Sequence, residues 1–394
     1  MLVRITNTPR NYDWGSATLL ADLQGRAATG EPEAEIWFGD HPGSPALVDD
    51  GRPLGEWLAE HGASTGAPAR LPYLLKLLAA ASPLSIQAHP SRAQATEGYA
   101  REEAAGVPRD APERTYRDEN HKPELIVAIS DSFTALAGLR DIDATRRLLA
   151  ALRPAGHALM ARLEGPDAAA ALRDTLAWLL SGQAQPDVDA IIAAAATTDD
   201  TEFAAELALT TDLASRHPGD PGVVVAMLMN LVTLQRGEGI FVPAGVLHAY
   251  LDGLGVELMA ASDNVLRGGL TPKHIDVGEL LRVLDSTPGP VPVLRPQRLG
   301  GGAARYVTDV PDFSLLRISV APDGSSRVPV AGPAIALAAK GVIEVRGNRS
   351  GEAIELRPGQ ALLVTPDERH VTLSGSGELF LAQPGATSAV RGAS

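Results

Sequence analysis

A chain of 394 residues with 45% apolar content can build a sizeable core, and at the usual roughly 100–200 residues per domain it has room for two or three domains. Its formal net charge of −14 excludes the basic footprint that nucleic acid requires. No apolar run reaches the roughly 20 residues of a membrane span, the longest, 223–234, being broken by Asn230. The absence of cysteine removes disulfides, thiolate metal ligands and cysteine nucleophiles. Together with a start, Met1-Leu-Val-Arg-Ile-Thr-Asn, that lacks the layout of a secretory signal, this leads us to expect a reducing, cytoplasmic setting.

From residue 1 to about 140 the chain reads as short strands with turn punctuation, at Ala34-Glu-Ile-Trp-Phe-Gly, Leu84-Ser-Ile-Gln-Ala-His and Leu125-Ile-Val-Ala-Ile-Ser. Composition predicts helices over 71–80 and 91–103. Residues 141–235 change texture to alanine and leucine, with Leu172, Leu176, Leu179 and Leu180 at helical spacing. Helix starts are expected at Asp143, at Pro186-Asp-Val-Asp and at Asp220-Pro221, the last opening a helix that runs to Leu234. Strand texture resumes over 236–285, at Gly239-Ile-Phe-Val-Pro and Leu247-His-Ala-Tyr-Leu, and a helix is predicted over 272–284. A proline-rich linker opens a last β region, 286–394, in which 334–345 and 361–365 are the clearest strands. The expected fold class is mainly β with an α-helical insertion.

Arginine is the ordinary cation of this chain, and lysine is reduced to Lys76, Lys122, Lys273 and Lys340. A compact ammonium with an adjustable pKa does chemistry that a guanidinium cannot, so the first three, each inside a segment with other reactive residues, are candidate functional groups.

The chemistry-bearing residues cluster in three segments. Gln87 and His89 sit two apart on a strand-like run and so face one side. In Asn120-His-Lys-Pro-Glu124, Lys122 is held extended by the following proline and can share a face with Glu124. Beyond the helical block, Gly237-x5-Pro243-x-Gly245-x2-His248 shapes a turn that delivers His248.

That last spacing resembles the second signature of the cupin superfamily. The combination with Pro83-Leu-Ser-Ile-Gln-Ala-His-Pro90, Tyr116-Arg-Asp-Glu-Asn-His-Lys-Pro-Glu124, Ser262-Asp-Asn-Val-Leu-Arg-Gly-Gly-Leu-Thr-Pro-Lys273, Tyr12-Asp-Trp-Gly15 and Glu35-Ile-Trp37 resembles the type I phosphomannose isomerase family. Ala88 departs from it, since valine is common there, and the last region resembles the family in architecture only. The resemblance implies two cupin jelly rolls, the first split by the helical insertion and the second degenerate. It also implies interconversion of mannose 6-phosphate and fructose 6-phosphate, linking mannose and GDP-mannose to fructose 6-phosphate metabolism.

On this resemblance one zinc is expected on Gln87, His89, Glu124 and His248, although a mixed nitrogen and oxygen set also accepts manganese, cobalt or iron. Arg267, Lys122 and His121 are the catalytic candidates. Lys122 is the favoured base; His121, Glu257 and Asp263 are alternatives. Arg267 suits a phosphate or a developing enediolate, with a salt bridge to Asp263 as the structural alternative, and the glycines after it can admit a ligand. Lys76, Lys273, Tyr250, Glu257, Asp263, Ser85 and Trp14 are the candidate substrate-binding residues. His370, with nothing like Gln-x-His before it, is read as outside the metal site, and His41, His61, His157, His217 and His274 receive no role. The expected partner is a small sugar phosphate, with no nucleic acid or membrane, on a monomer or weak oligomer. The rivals are another cupin metalloenzyme, such as an iron dioxygenase, and a sugar-phosphate-binding module with a structural metal.

Overall fold

The computed structural model describes residues 1–385, so the end of the expected last region, 386–394, lies outside the described residues. The fold is mainly sheet with helices, and every ladder between named strands is antiparallel. The first sheet is organised by the strand His248–Ala260, buried along its length except at Asp252. Its second half lies between the strands Tyr73–Ala80 and Glu124–Ala128, and its first half pairs with Ser132–Leu139 and, at His248, with Ile86–Ala88. One strand therefore connects all the segments that carry Gln87, His89, Glu124 and His248.

The second sheet is built on the long strands Ser314–Pro329, Ala334–Gly347 and His370–Gln383. The first strand of the chain, Leu2–Thr6, is hydrogen-bonded into this sheet through Ala361–Val364. A single apolar core joins the two sheets, with Leu75, Val127 and Leu258 on one side and Leu315, Leu337 and Phe380 on the other. The helices from Ile142–Ala151 to Gly222–Met227 pack on the opposite part of the first sheet, around Ile86, Leu136, Leu247 and Leu266. Leu172, Leu176 and Leu179 are the buried stripe of the helix Ala168–Leu180, as their spacing predicts.

Three expected helices differ. Residues 71–80 read as helical, yet Tyr73–Ala80 is a strand with all eight residues buried between two neighbours. A strand covered on both faces loses the polar alternation that marks strands, so composition alone misleads. The helix from Pro221 stops at Met227, and Met229–Gln235 is a strand paired with Ser132–Leu139. The helix expected over 272–284 is only Val277–Val283, because the Asp276 side chain caps it at the Glu279 amide. The residues before it stay irregular and carry Thr271 and Lys273 to the cleft described below. Asp141, rather than Asp143, caps the first insertion helix, its carboxylate accepting from the amides of Asp143 and Ala144. The helix Arg92–Ala104 forms where expected, started by a capping box between Ser91 and Gln94.

Candidate active site

His89, Glu124 and His248 lie together, fully buried, with one ligand atom from each within 4.8 Å of the others. His248 is delivered by a turn in which Gly245 has φ +82°, and a Cβ there would sit 2.9 Å from the Val283 carbonyl oxygen. The two imidazoles have defined tautomers. His89 Nδ1 lies 2.7 Å from the carbonyl oxygen of Asn264, and His248 Nδ1 lies 3.2 Å from that of Val246. A carbonyl only accepts, so Nδ1 of each ring carries the proton and Nε2 presents a lone pair.

Those Nε2 atoms are buried without a hydrogen bond, yet they stand 3.1 and 3.2 Å from the two oxygens of Glu124. Lone pairs facing a carboxylate at that range repel unless a cation lies among them, so these residues fit a divalent metal. Burial and then the Lys122 ammonium pull His89 down to about 4, which keeps it neutral and able to ligate. Burial alone would raise the Glu124 carboxyl, but the Lys122 ammonium holds it well below the usual carboxylate range. Lys122 Nζ lies 3.2 Å from Glu124 Oε1, and the Tyr250 hydroxyl donates to Oε2 at 3.3 Å.

Gln87 is opposite His248 across one ladder and opposite Arg267 across another, and it lines a cleft of about 550 Å³. The same cleft is lined by Trp14, Ser85, Arg267 and Lys273, four more of the residues singled out in the sequence. Trp14 stacks on Tyr12 at 5.6 Å between ring centroids, which stiffens that wall. Arg267 has no ion-pair partner among the described residues, and Asp263 pairs instead with His41 at 3.1 Å, so the salt bridge considered for Arg267 does not form. Burial, and then Arg117, push the Arg267 guanidinium below its ordinary value. The glycines after Arg267 serve the protein rather than a ligand: a Cβ on Gly269 would meet the Gly222 Cα at 2.4 Å.

The remaining candidates do not line that cleft. Lys76 is buried in an ion triad, between Glu257 at 2.9 Å and Glu35 at 3.3 Å, and Glu124 also acts on its charge. Burial raises the Glu257 carboxyl against the opposing pull of Lys76. The Tyr250 hydroxyl is spent on Glu124, and Tyr250 is not a lining residue of the cleft. His121 turns to Asp312, with Nε2 2.7 Å from Oδ2. His370 lies beside Arg327 in the second sheet, away from the metal group.

Several residues of the site escaped the sequence reading. Arg216 and His217, at the end of an insertion helix, line the cleft. Asn264 is fully buried; its side-chain oxygen accepts from the amides of Arg117 and Asp118, and its amide donates to the carbonyls of Asp118 and Asn120. A buried asparagine inside Ser262-Asp-Asn-Val was the available signal. Arg216 had none, because it reads as one more surface arginine paired i,i+4 with Asp212.

Residues 2–142 match the family described as phosphomannose isomerase type I, catalytic domain. The mannose-6-phosphate isomerase of Escherichia coli (strain K12) is 34% identical over 95% of this chain and 98% of its own length. That of Rattus norvegicus is 35% identical over 79% of this chain and 80% of its own. The crystal structure of mannose 6-phosphate isomerase from Salmonella typhimurium bound to substrate, fructose 6-phosphate, and zinc superposes with a TM-score of 0.88. It is 32% identical and covers 98% of this chain and 100% of that one. With its own buried His/Glu/His group in place, the chain belongs to the type I phosphomannose isomerase family.

Proposed function

We propose that the chain is a zinc-dependent aldose–ketose isomerase interconverting D-mannose 6-phosphate and D-fructose 6-phosphate. The observation that carries this reading is the buried His89/Glu124/His248 group with its orphaned Nε2 atoms, joined through Gln87 to a cleft that also holds Arg216, Arg267 and Lys273. In a chain of net charge −14, a phosphate dianion needs such local cations, because distant charges are screened beyond roughly 8–10 Å. The Salmonella relative, bound to zinc and fructose 6-phosphate, supports both ligand assignments.

His89, Glu124 and His248 hold the metal in this reading, with the Gln87 amide oxygen as fourth ligand. When bound, zinc supplies Lewis acidity toward the sugar carbonyl and the oxygen charge that develops there. Isomerisation takes a proton from the carbon next to the carbonyl and returns it to its neighbour, passing through an enediolate. Lys122 moves that proton in this reading, supported by its ammonium's place 3.2 Å from the Glu124 carboxylate of the metal group. Arg267, free of carboxylates, steadies the enediolate or the phosphate, Lys273 and Ser85 hold the phosphate, and Trp14 walls the sugar. The reaction connects mannose and GDP-mannose with fructose 6-phosphate metabolism.

The same reading assigns 1–140 and 236–285 to a cupin jelly roll split by the helical insertion 141–235, and 286–394 to a second jelly roll without ligands, except that Leu2–Thr6 is hydrogen-bonded into the second sheet and Met229–Gln235 into the first. It sets the enzyme in the cytoplasm as a monomer or weak oligomer.

Lys122→Arg tests the proton step. Arginine keeps the charge and much of the reach, but a guanidinium with pKa above about 12 accepts no proton near neutrality. Incubation with substrate in deuterated water should show loss of both turnover and label entry at C1 or C2. Parental turnover and exchange would pass the role to another residue and leave the metal site as drawn.

A further inference from the structure

The second sheet supplies no residue to the His89/Glu124/His248 group, yet a carboxylate from one of its connections reaches the loops beside two of those residues. Segment 307–313 connects the strands Ala303–Tyr306 and Ser314–Pro329. Phe313 is buried in the core between the sheets, and Asp312 beside it is 8% exposed. The two Asp312 oxygens face different parts of the first sheet's loops. Oδ2 lies 2.7 Å from His121 Nε2, and Oδ1 accepts from Arg92 Nη2 at 3.1 Å. Burial would raise this carboxyl, but His121 and Arg92 outweigh burial and hold it below its ordinary range.

The placement of these partners gives the contact its meaning. Arg92 follows His89 by three residues and opens the helix whose capping box fixes the turn after that ligand. His121 precedes Glu124 by three residues, in the loop that also carries Lys122. His89 and Glu124 are not neighbours in the sheet, since Ile86–Ala88 and Glu124–Ala128 pair with different halves of His248–Ala260. Asp312 therefore bridges the loop just after His89 and the loop just before Glu124. The Arg92 arm is more than half exposed and contributes little in water, so the His121 arm carries most of the effect.

We propose that Asp312 is a positioning residue for the metal site: by holding His121 and Arg92 it fixes the loops of Glu124 and His89, and so sets the affinity for zinc. This rests on the zinc reading above and assigns the second sheet a part in the first sheet's chemistry. A plain docking role is the alternative, and another contact between the same regions serves as control. Arg236 Nη2 meets Glu378 Oε1 at 3.2 Å and touches no loop bearing a ligand.

The test measures zinc affinity by competition with a chromogenic chelator in the parent, Asp312→Ala, Asp312→Asn and Arg236→Ala. Melting of each metal-free protein, and kcat and KM at saturating zinc, complete the comparison. Asp312→Ala should bind zinc about tenfold or more weakly, in the range seen when an outer partner of a metal ligand is lost. Asp312→Asn, which retains one acceptor, should lose less, and Arg236→Ala should bind zinc as the parent does even if it melts earlier. At saturating zinc, the Asp312 variants should lose kcat with little change in KM. Parental zinc affinity in Asp312→Ala, or in Asp312→Asn should the alanine variant not fold, would overturn the proposal. So would an equal loss of affinity in Arg236→Ala. A parent that binds no zinc would instead overturn the zinc reading, and the Asp312 proposal with it.

Discussion

His248→Ala should lose its metal and its turnover together, while His370→Ala loses neither. His248 Nε2 is a buried lone pair 3.2 Å from Glu124 Oε2, and its proton sits on Nδ1 against the Val246 carbonyl. Removing it leaves one imidazole, one carboxylate and the weakly donating Gln87 amide, a poor donor set for zinc, whose usual protein ligands are thiolates, imidazoles and carboxylates. The loss should exceed the roughly 10–100-fold drop in metal affinity that follows removal of an outer partner. His370 lies on the second sheet beside Arg327 and contacts none of the metal group. Elemental analysis of both purified variants checks the pair. A parental metal content in His248→Ala would remove the site as described.

Arg267→Ala should fold normally, retain zinc and lose turnover by roughly 10²–10³, the usual cost of removing one donor aimed at developing negative charge. The expectation rests on three features of this residue. It lines the cleft, its strand neighbour is Gln87, and it has no ion-pair partner among the described residues. Steady-state kinetics separate its two possible tasks. A loss confined to kcat marks charge that appears only during reaction, whereas a loss confined to KM marks a grip on the ground-state phosphate. Activity within a factor of about two of the parent would place Arg267 outside the site.

The metal residues were legible in the sequence because each lies in a short spaced motif whose geometry is local. Gln87 lies on the strand Ile86–Ala88 and His89 directly follows it, and the Pro243-x-Gly245-x2-His248 turn needs the positive φ found at Gly245. Trp14, Ser85, Arg267 and Lys273 also meet in one cleft, as their motifs suggested. What the sequence hid was partnership across long separations. Lys76 drew notice only as a rare lysine; the placing of its ammonium between Glu35 and Glu257 from two neighbouring strands is written in no motif. The His121–Asp312 contact joins residues 191 positions apart, which no motif records. The strand Tyr73–Ala80 was misread for a related reason: its neighbours on both sides, not its own residues, decide its conformation. Arg216 and His217 line the cleft close to where the insertion is anchored at its far end. There Asp220 accepts from the amides of Gly222 and Thr271, tying helix start to cleft wall.

The central claim is that the buried His/Glu/His group works as a zinc site for sugar-phosphate isomerisation, and one coupled assay tests it most directly. Conversion of mannose 6-phosphate to fructose 6-phosphate is followed in the purified protein, again after a chelator has stripped the metal, and again after stoichiometric zinc is returned. The account predicts turnover, its loss on chelation, and its recovery with zinc. Undiminished turnover in protein shown by elemental analysis to be metal-free would contradict it.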